Sequence, residues 1–164
     1  MRHLMPLLVT PLLLSAAPPP RVPAAGLCAA GEAPIFTCAA GRKQIAVCGT
    51  GPKAAEYRFG TPGKVELSHS SAKGGMSQAS VGYSGGGASQ VRVARGATEY
   101  LVYSRMVRTG FGDDGNKPAF DAGVVVREKG KTVATIKCTD PSDASIDTQA
   151  ASERLPDGEF IDVD

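Results

Sequence analysis

Histidine is scarce in this 164-residue sequence, which contains only two. His3 belongs to the N-terminal segment, so His69 is the only histidine in the rest of the chain. Zinc sites combine histidine and cysteine ligands, and no two cysteines here are separated by two residues. A hydrolytic triad needs a histidine beside a nucleophile, and no nucleophile-elbow motif accompanies His69. The sequence therefore predicts no metal, no cofactor and no catalytic residue, and we expect a protein that is not an enzyme.

Long apolar runs are also absent, apart from one at the N-terminus. Arg2 precedes an apolar stretch over residues 4–14, and small residues follow at positions 15–17. This order is typical of a signal peptide, and the stretch is shorter than the roughly 20 residues that span a bilayer. Cleavage fits best after Gly26, with Ala17 as the alternative position. We therefore expect a signal peptide over residues 1–26 and a secreted or periplasmic protein with no transmembrane segment.

Only four cysteines are present, all after residue 26. An even set in an oxidising compartment predicts two disulfides. If strands 35–38 and 43–48 are joined by a turn near Gly41, Cys38 lies opposite Gln44, four residues or roughly 13 Å from Cys48. A disulfide tolerates only about 7 Å between Cα atoms, so a Cys38–Cys48 bridge is disfavoured. Of the two remaining pairings we favour Cys28–Cys48 with Cys38–Cys138.

The part of the chain between the cysteines has no clear helical periodicity and is divided by glycine-rich turns. Further short strands are predicted at residues 56–59, 64–67, 79–84, 90–94, 98–107, 122–127 and 131–138. The loops at 68–78 and 110–120 are polar or rich in glycine, so we expect them to be exposed. Eight or nine short strands of this kind predict a single antiparallel β-barrel or sandwich, bridged by disulfides, over residues 27–138.

Two of the turns predict a pairing register. A two-residue turn at Arg95-Gly96 would place Arg92 opposite Glu99 and Val91 opposite Tyr100. A turn at Lys129-Gly130 would place Glu128 opposite Lys131 and Val126 opposite Val133.

Charge is distributed unevenly along the chain. Residues 27–138 contain fifteen Lys and Arg against eight Asp and Glu, a net charge of +7, whereas residues 139–164 contain eight acids against Arg154, a net charge of −7. The acidic segment lacks periodicity and is rich in Ser, Ala, Thr and Asp, so we expect a mostly disordered tail that is attracted to the basic body. If the tail belongs instead to the core, Phe160, Ile161 and Val163 are the residues that would attach it.

Candidate binding residues lie around a glycine run between two predicted strands. Glycine is favoured where the backbone takes a positive φ or approaches another group closely, and tyrosine and arginine are enriched in binding hot spots. A plain connecting loop or a tight bulge is the alternative explanation for the glycines. The candidate partner-binding residues are Tyr83, Ser84, Gly85, Gly86, Gly87, Tyr103 and Arg105.

The chain resembles an uncharacterised family of secreted bacterial four-cysteine β proteins. The resemblance extends over nearly all of residues 28–138 and rests on the stretches at residues 36–38, 47–49, 57–60, 62–64, 84–87, 100–103 and 137–138. The order of Cys38 with Gly41, Ser84-Gly85 and Cys138 is also similar to that in the periplasmic or membrane-bound inhibitors of C-type lysozyme. That likeness implies a small secreted β-barrel whose Ser-Gly loop enters the lysozyme cleft. Two features depart from the inhibitor pattern: Ala88 stands where a tyrosine is expected, and the segment from the loop to the last cysteine is longer.

These observations predict a non-enzymatic binding module whose partner is a protein such as a lysozyme. The alternatives are an envelope-associated structural protein that binds anionic cell-surface polymers, and an enzyme of an uncharacterised type. We expect no nucleic-acid partner.

Overall fold

The computed structural model describes residues 26–108, 110 and 116–163. Apart from Gly26, the predicted signal peptide lies outside these residues. Within the described part of the chain, nine strands form two antiparallel sheets that do not close into a barrel and pack as a sandwich. Sheet A has the order β1(Ala33–Ala40), β2(Lys43–Gly51), β3(Ala54–Thr61) and β4(Lys64–Ser70). Sheet B has the order β5(Met76–Tyr83), β6(Gly86–Arg95), β7(Thr98–Arg108), β8(Pro118–Glu128) and β9(Lys131–Lys137).

Strands that are consecutive in the chain pair as neighbours within each sheet, mostly through two-residue turns. Lys129 and Gly130 both have positive φ, as the tight turn between β8 and β9 requires. Apolar side chains of both sheets face each other and form one buried cluster, which includes Ile45, Val47 and Tyr57 of sheet A and Val91 and Val102 of sheet B. The neighbours of these residues on the central strands, such as Ala46 and Leu101, are also buried, because the outer face of each sheet is covered as well.

Three of the predicted registers need correction. The β1–β2 turn is Gly41-Arg42, so Cys38 lies opposite Ile45 and not Gln44. The β6–β7 turn is Gly96-Ala97, so Arg92 and Val91 lie opposite Leu101 and Val102. In the β8–β9 hairpin Glu128 faces Lys131 as predicted, but a bulge places Val126 opposite Ala134 and not Val133. The turn residues alone did not fix the register because the position of glycine within a turn, and a bulge after it, shift the pairing.

Both disulfides have the pairing favoured from the sequence. Cys38 and Cys138, with Cα atoms 5.7 Å apart, join β1 to the residue that follows β9 and so link the two sheets. Cys28 and Cys48, with Cα atoms 5.5 Å apart, fasten residues 26–32 to β2. These residues, the N-terminal cover, lie on the outer face of sheet A, where Leu27 packs with Ala46 and Cys48.

The expectation of a mostly disordered acidic tail is wrong for the described residues 139–163. They form a 3₁₀-helix (Pro141–Asp143) and a helix α1 (Thr148–Arg154), and Ala144, Ile146, Ala151 and Leu155 are buried in the main core. The 139–147 stretch also donates backbone hydrogen bonds to β1, from Thr139 to Ala39 and from Asp147 to Ile35. The few apolar residues of the segment reach the core through this tertiary packing, which an acidic composition does not reveal.

Residues 156–163, the C-terminal strap, cross to the outer face of sheet B. The strap meets the edge strand β5 at Gln78, whose backbone bonds to Pro156 and Gly158. Ile161 and Val163 then pack against a second cluster, formed by Leu101, Tyr103 and Val125. No helix in the described residues is long and apolar enough to span a membrane.

Candidate functional site

The glycine run begins in the turn between β5 and β6. Ser84 and Gly85 occupy the turn, and Gly85 has a φ of +147°, a conformation that side chains rarely adopt. The Gly85 N–H donates to the Tyr83 carbonyl at 2.8 Å, and the Gly85 carbonyl accepts from the Arg108 N–H at 3.0 Å. The turn is therefore a defined hairpin end that β7 supports from one side.

Gly86 and Gly87 belong to strand β6 and not to the turn. A Cβ added at Gly86 would lie 1.8 Å from the Met106 carbonyl oxygen, and one at Gly87 would lie 3.0 Å from the Val81 carbonyl oxygen. Glycine at position 86 thus permits a close approach of the β6 and β7 backbones. The segment thus has both a structural and an exposed part. Gly86 is needed for packing, whereas Tyr83 and Ser84 are exposed at the hairpin end.

Sheet B extends beyond the hydrophobic core at this end. Next to the buried valines, its inner face carries a row formed by Ser80, Ser89, Ser104 and Ala122, and the following row is Gly82, Gly87, Met106 and Phe120. The rows thus change from apolar to small and polar, and then to an open strip with an exposed phenyl ring. We call this part of sheet B, residues 82–87, 106–108 and 118–120, the sheet B tip.

A recess of about 190 Å³ lies below the tip, between the inner face of sheet B and residues 141–146. Ser104 is fixed in its wall, because its hydroxyl accepts the Ile146 N–H at 3.0 Å. Ser89 lies 3.0 Å from Ser80, oxygen to oxygen. Phe120 borders the recess and is 42% exposed, and Tyr83 is 41% exposed on the opposite face of the sheet. An exposed aromatic ring beside a recess, as Phe120 is here, is typical of a contact surface.

Tyr103 and Arg105, the other predicted binding residues, lie on the outer face of sheet B. Tyr103 is only 2% exposed, because the C-terminal strap packs against it, so this candidate binding residue does not lie on an exposed surface. Its hydroxyl donates to Asp121 Oδ1 at 3.2 Å, and Arg105 Nη2 lies 3.1 Å from Asp121 Oδ2. The predicted set therefore divides into the tip residues, among which Tyr83 and Ser84 are exposed, and an outer-face pair of buried Tyr103 and partly exposed Arg105.

Asp121 is the centre of a charged cluster on this face. Lys137 Nζ donates to both of its oxygens, at 2.6 and 2.7 Å, and lies 5.5 Å from the centre of the Tyr103 ring. Partial burial raises the pKa of Asp121, but the hydrogen bonds from Lys137, Tyr103 and Arg105 outweigh it and hold the pKa below its usual value. Burial is the main cause of the raised pKa of Tyr103. Asp121 therefore stays ionised and fixes the three groups around it.

His69 lies in a different setting from the exposed loop that was expected. It is part of β4, is 8% exposed, and its Nε2 lies 2.9 Å from the Gly74 carbonyl oxygen. Ser70 and Ser71 accept the backbone N–H groups of Ala72 and Ala55. These residues fasten the connection between β4 and β5, and the contacts do not form a histidine–serine relay.

One group of metal-ligand types occurs among the described residues. Donor atoms of Cys28, Glu32 and Cys48 lie within 4.8 Å of one another. The two sulfur atoms are bonded to each other, so neither is a thiolate, and Glu32 is paired with Arg58. We do not assign a metal site to this group.

Sequence reasoning missed two residues that define the tip and the strap contacts of sheet B. Phe120 was assigned to a loop, and Gln90 was regarded only as a strand residue. Ile161 and Val163 were named as the residues that would attach the tail if it belonged to the core, and their packing on sheet B confirms that alternative for both. Their alternation with acids is the signal for an extended, half-buried segment. The chain matches no model of a known protein family, no curated protein and no solved structure.

Proposed function

We propose that the protein is a secreted or periplasmic, non-enzymatic binding module that contacts a protein partner through the sheet B tip. The single observation that supports this is the exposed hairpin end at Ser84-Gly85, which follows the exposed Tyr83. The exposed Phe120 lies at the same end of sheet B, on the opposite face. Glycine at the turn keeps the end narrow, and the Arg108 backbone N–H donates to the Gly85 carbonyl, which places this exposed arginine next to the turn. Aromatic and arginine side chains around a small, shaped feature are typical of binding hot spots.

Inhibition of a C-type lysozyme is the most specific version of this proposal. It rests on the similarity in cysteine order and in the Ser84-Gly85 step, together with the narrow hairpin end. An exposed two-residue turn can enter an enzyme cleft that a broader loop cannot. The location outside the cytoplasm rests on the predicted signal peptide, and the two disulfides are compatible with it.

The test measures binding and inhibition with the purified protein from residue 27 onward and a panel of lysozymes. Ser84→Arg should weaken any inhibition at least about tenfold, equal to about 1.4 kcal/mol, because the longer side chain changes the shape of the turn. Thr132→Arg is the matched control, since it adds the same side chain to an exposed position of β9. No inhibition by the wild type would exclude the lysozyme version, and equal loss in both variants would exclude the tip. A pull-down from periplasm extends the search to other proteins.

Binding of anionic envelope polymers is a second candidate, favoured by the +7 net charge of residues 27–138. The acidic segment that follows packs against this body, so the two parts together carry little net charge. Adsorption to cell walls or anionic vesicles that falls as salt rises would support this candidate. Turnover of a substrate would favour the third, an enzyme.

A further inference from the structure

The C-terminal strap occupies its position on sheet B without a covalent link of its own. Gln90 of β6 is 1% exposed, and both polar atoms of its side-chain amide hydrogen-bond to the backbone of one strap residue, Ile161. Its Nε2 donates to the Ile161 carbonyl at 2.8 Å, and its Oε1 accepts the Ile161 N–H at 3.1 Å. Because both bonds go to main-chain atoms, a buried amide used in this way binds an extended segment regardless of its side chains. Sites that bind a peptide as an added strand use main-chain bonds in the same manner.

The floor beneath the strap is apolar. Leu101, Tyr103 and Val125 are at most 2% exposed, and Ile161 and Val163 are the side chains that pack on them. Neither of the two is fully buried itself, whereas Leu155, just before the strap, is buried in the main core. The floor thus accepts two aliphatic side chains at alternate positions of an extended segment.

The rim of the same face carries an excess of positive charge. Glu99 is shared by Arg92 and Arg127, and Asp121 is shared by Arg105 and Lys137. Four cations against two carboxylates leave a net charge of +2. The strap carries Asp157, Glu159 and Asp162, a charge of −3, and Asp157 contacts Gln78 at the edge of β5. An acidic segment is therefore complementary to the rim, although each exposed pair contributes little.

We propose that the outer face of β6, β7 and β8 is a binding groove for an extended acidic peptide with aliphatic side chains at alternate positions. In the free protein the strap fills this groove, and a partner segment of the same chemistry displaces it. The groove lies on the face of sheet B opposite the recess below the tip, and this proposal does not rest on the function assigned to the tip.

The test uses the whole chain from residue 27 and a fluorescent synthetic peptide with the sequence of residues 156–164. An Ile161→Asp, Val163→Asp double variant removes the two aliphatic contacts of the strap and should bind the peptide saturably. The wild type should bind at least tenfold more weakly, because its tethered strap competes at a high effective concentration. No difference between the two proteins, or no binding to the double variant, would overturn the proposal.

Two controls separate the groove from general adhesion. A peptide that carries Asp at both aliphatic positions should bind at least tenfold more weakly than the native one. Gln90→Leu, added to the double variant, should also weaken binding at least tenfold, because the main chain of the peptide loses both amide contacts. Equal binding of the two peptides, or no effect of Gln90→Leu, would mean that the peptide does not occupy the groove.

Hydrogen exchange of the wild type tests the displacement step without any variant. The Ile161 amide, which Gln90 protects, should exchange at least tenfold faster than the Val102 amide of the core strand β7. Equal exchange would show that the strap opens only when the protein unfolds, and the groove would then be part of the core.

Discussion

Residues 26–32 cover the outer face of sheet A much as residues 156–163 cover the outer face of sheet B, but different interactions attach the two covers. A disulfide fixes the N-terminal cover to β2. Arg58 binds it further, since its guanidinium pairs with Glu32 through contacts of 2.6 and 2.8 Å and donates to the Leu27 carbonyl. Hydrogen bonds and two half-buried aliphatic side chains attach the strap. A permanent cover protects sheet A, whereas the cover of sheet B can be exchanged.

The largest expected loss of stability follows from removing residues 139–155, and it distinguishes these residues from the strap. A chain that ends after Cys138 loses Ile146 and Leu155 from the main core, and truncating such a side chain to alanine alone costs about 2–5 kcal/mol. We expect this chain to be unfolded or severely destabilised in urea denaturation. A chain that ends after Leu155 lacks only the strap and should stay folded, with a loss of about 1–3 kcal/mol for its aliphatic contacts. Equal stability of the two shortened chains would contradict the conclusion that residues 139–155 belong to the core and the strap does not.

Removing the covalent attachment of the N-terminal cover should have the next largest effect. Cys28→Ala with Cys48→Ala opens a loop of 20 residues, which costs about 3 kcal/mol in the chain-entropy model. Urea denaturation should give a lower midpoint for this variant. Retained near-ultraviolet circular dichroism would indicate that the sandwich, still bridged by Cys38–Cys138, persists. An unchanged midpoint would show that the disulfide is not what holds the cover.

Glu32 should make the attachment of the N-terminal cover depend on pH. The hydrogen bonds from Arg58 are the main reason that its pKa lies below the usual 4.5. A lowered pKa stabilises the fold above pH 4.5, and this contribution is lost as the pH falls through the lowered value. Glu32→Gln should therefore cost about 1–3 kcal/mol at pH 7 and progressively less below pH 4.5, measured by urea denaturation.

Glu66→Gln is the matched control for that substitution. Its carboxylate pairs with Lys43, and both side chains are more than one third exposed. Such a pair contributes about 0–1 kcal/mol, so the control should have almost no effect. A Glu32 variant that behaves like the Glu66 variant would contradict the role given to the buried pair.

Local signals in the sequence predicted the hairpins and the disulfide pairing, but not where the acidic segment packs. Glycine in the turns between β1 and β2, β6 and β7, and β8 and β9 marks the ends of two strands at once, so these hairpins followed from short-range chemistry. The C-terminal segment depends on single apolar residues, such as Ile146 and Leu155, spaced too widely to give a periodic pattern. Tyr103 was a candidate for partner binding, and the strap that buries it lies 50 or more residues later in the chain.

The smallest expected change in stability concerns Gln90, and it tests most directly whether the strap is the releasable cover. Gln90→Leu removes two hydrogen bonds to the Ile161 backbone, each with a net value of about 1 kcal/mol, while leucine adds apolar contact with the floor. We expect a loss of about 1 kcal/mol in urea denaturation, together with at least tenfold faster exchange of the Ile161 amide. Gln78→Leu is the control, because its side chain contacts Asp157 at an exposed position while its backbone bonds to the strap remain. Faster exchange in both variants would mean that the edge of β5 holds the strap, and unchanged exchange in the Gln90 variant would mean that the aliphatic contacts alone do so.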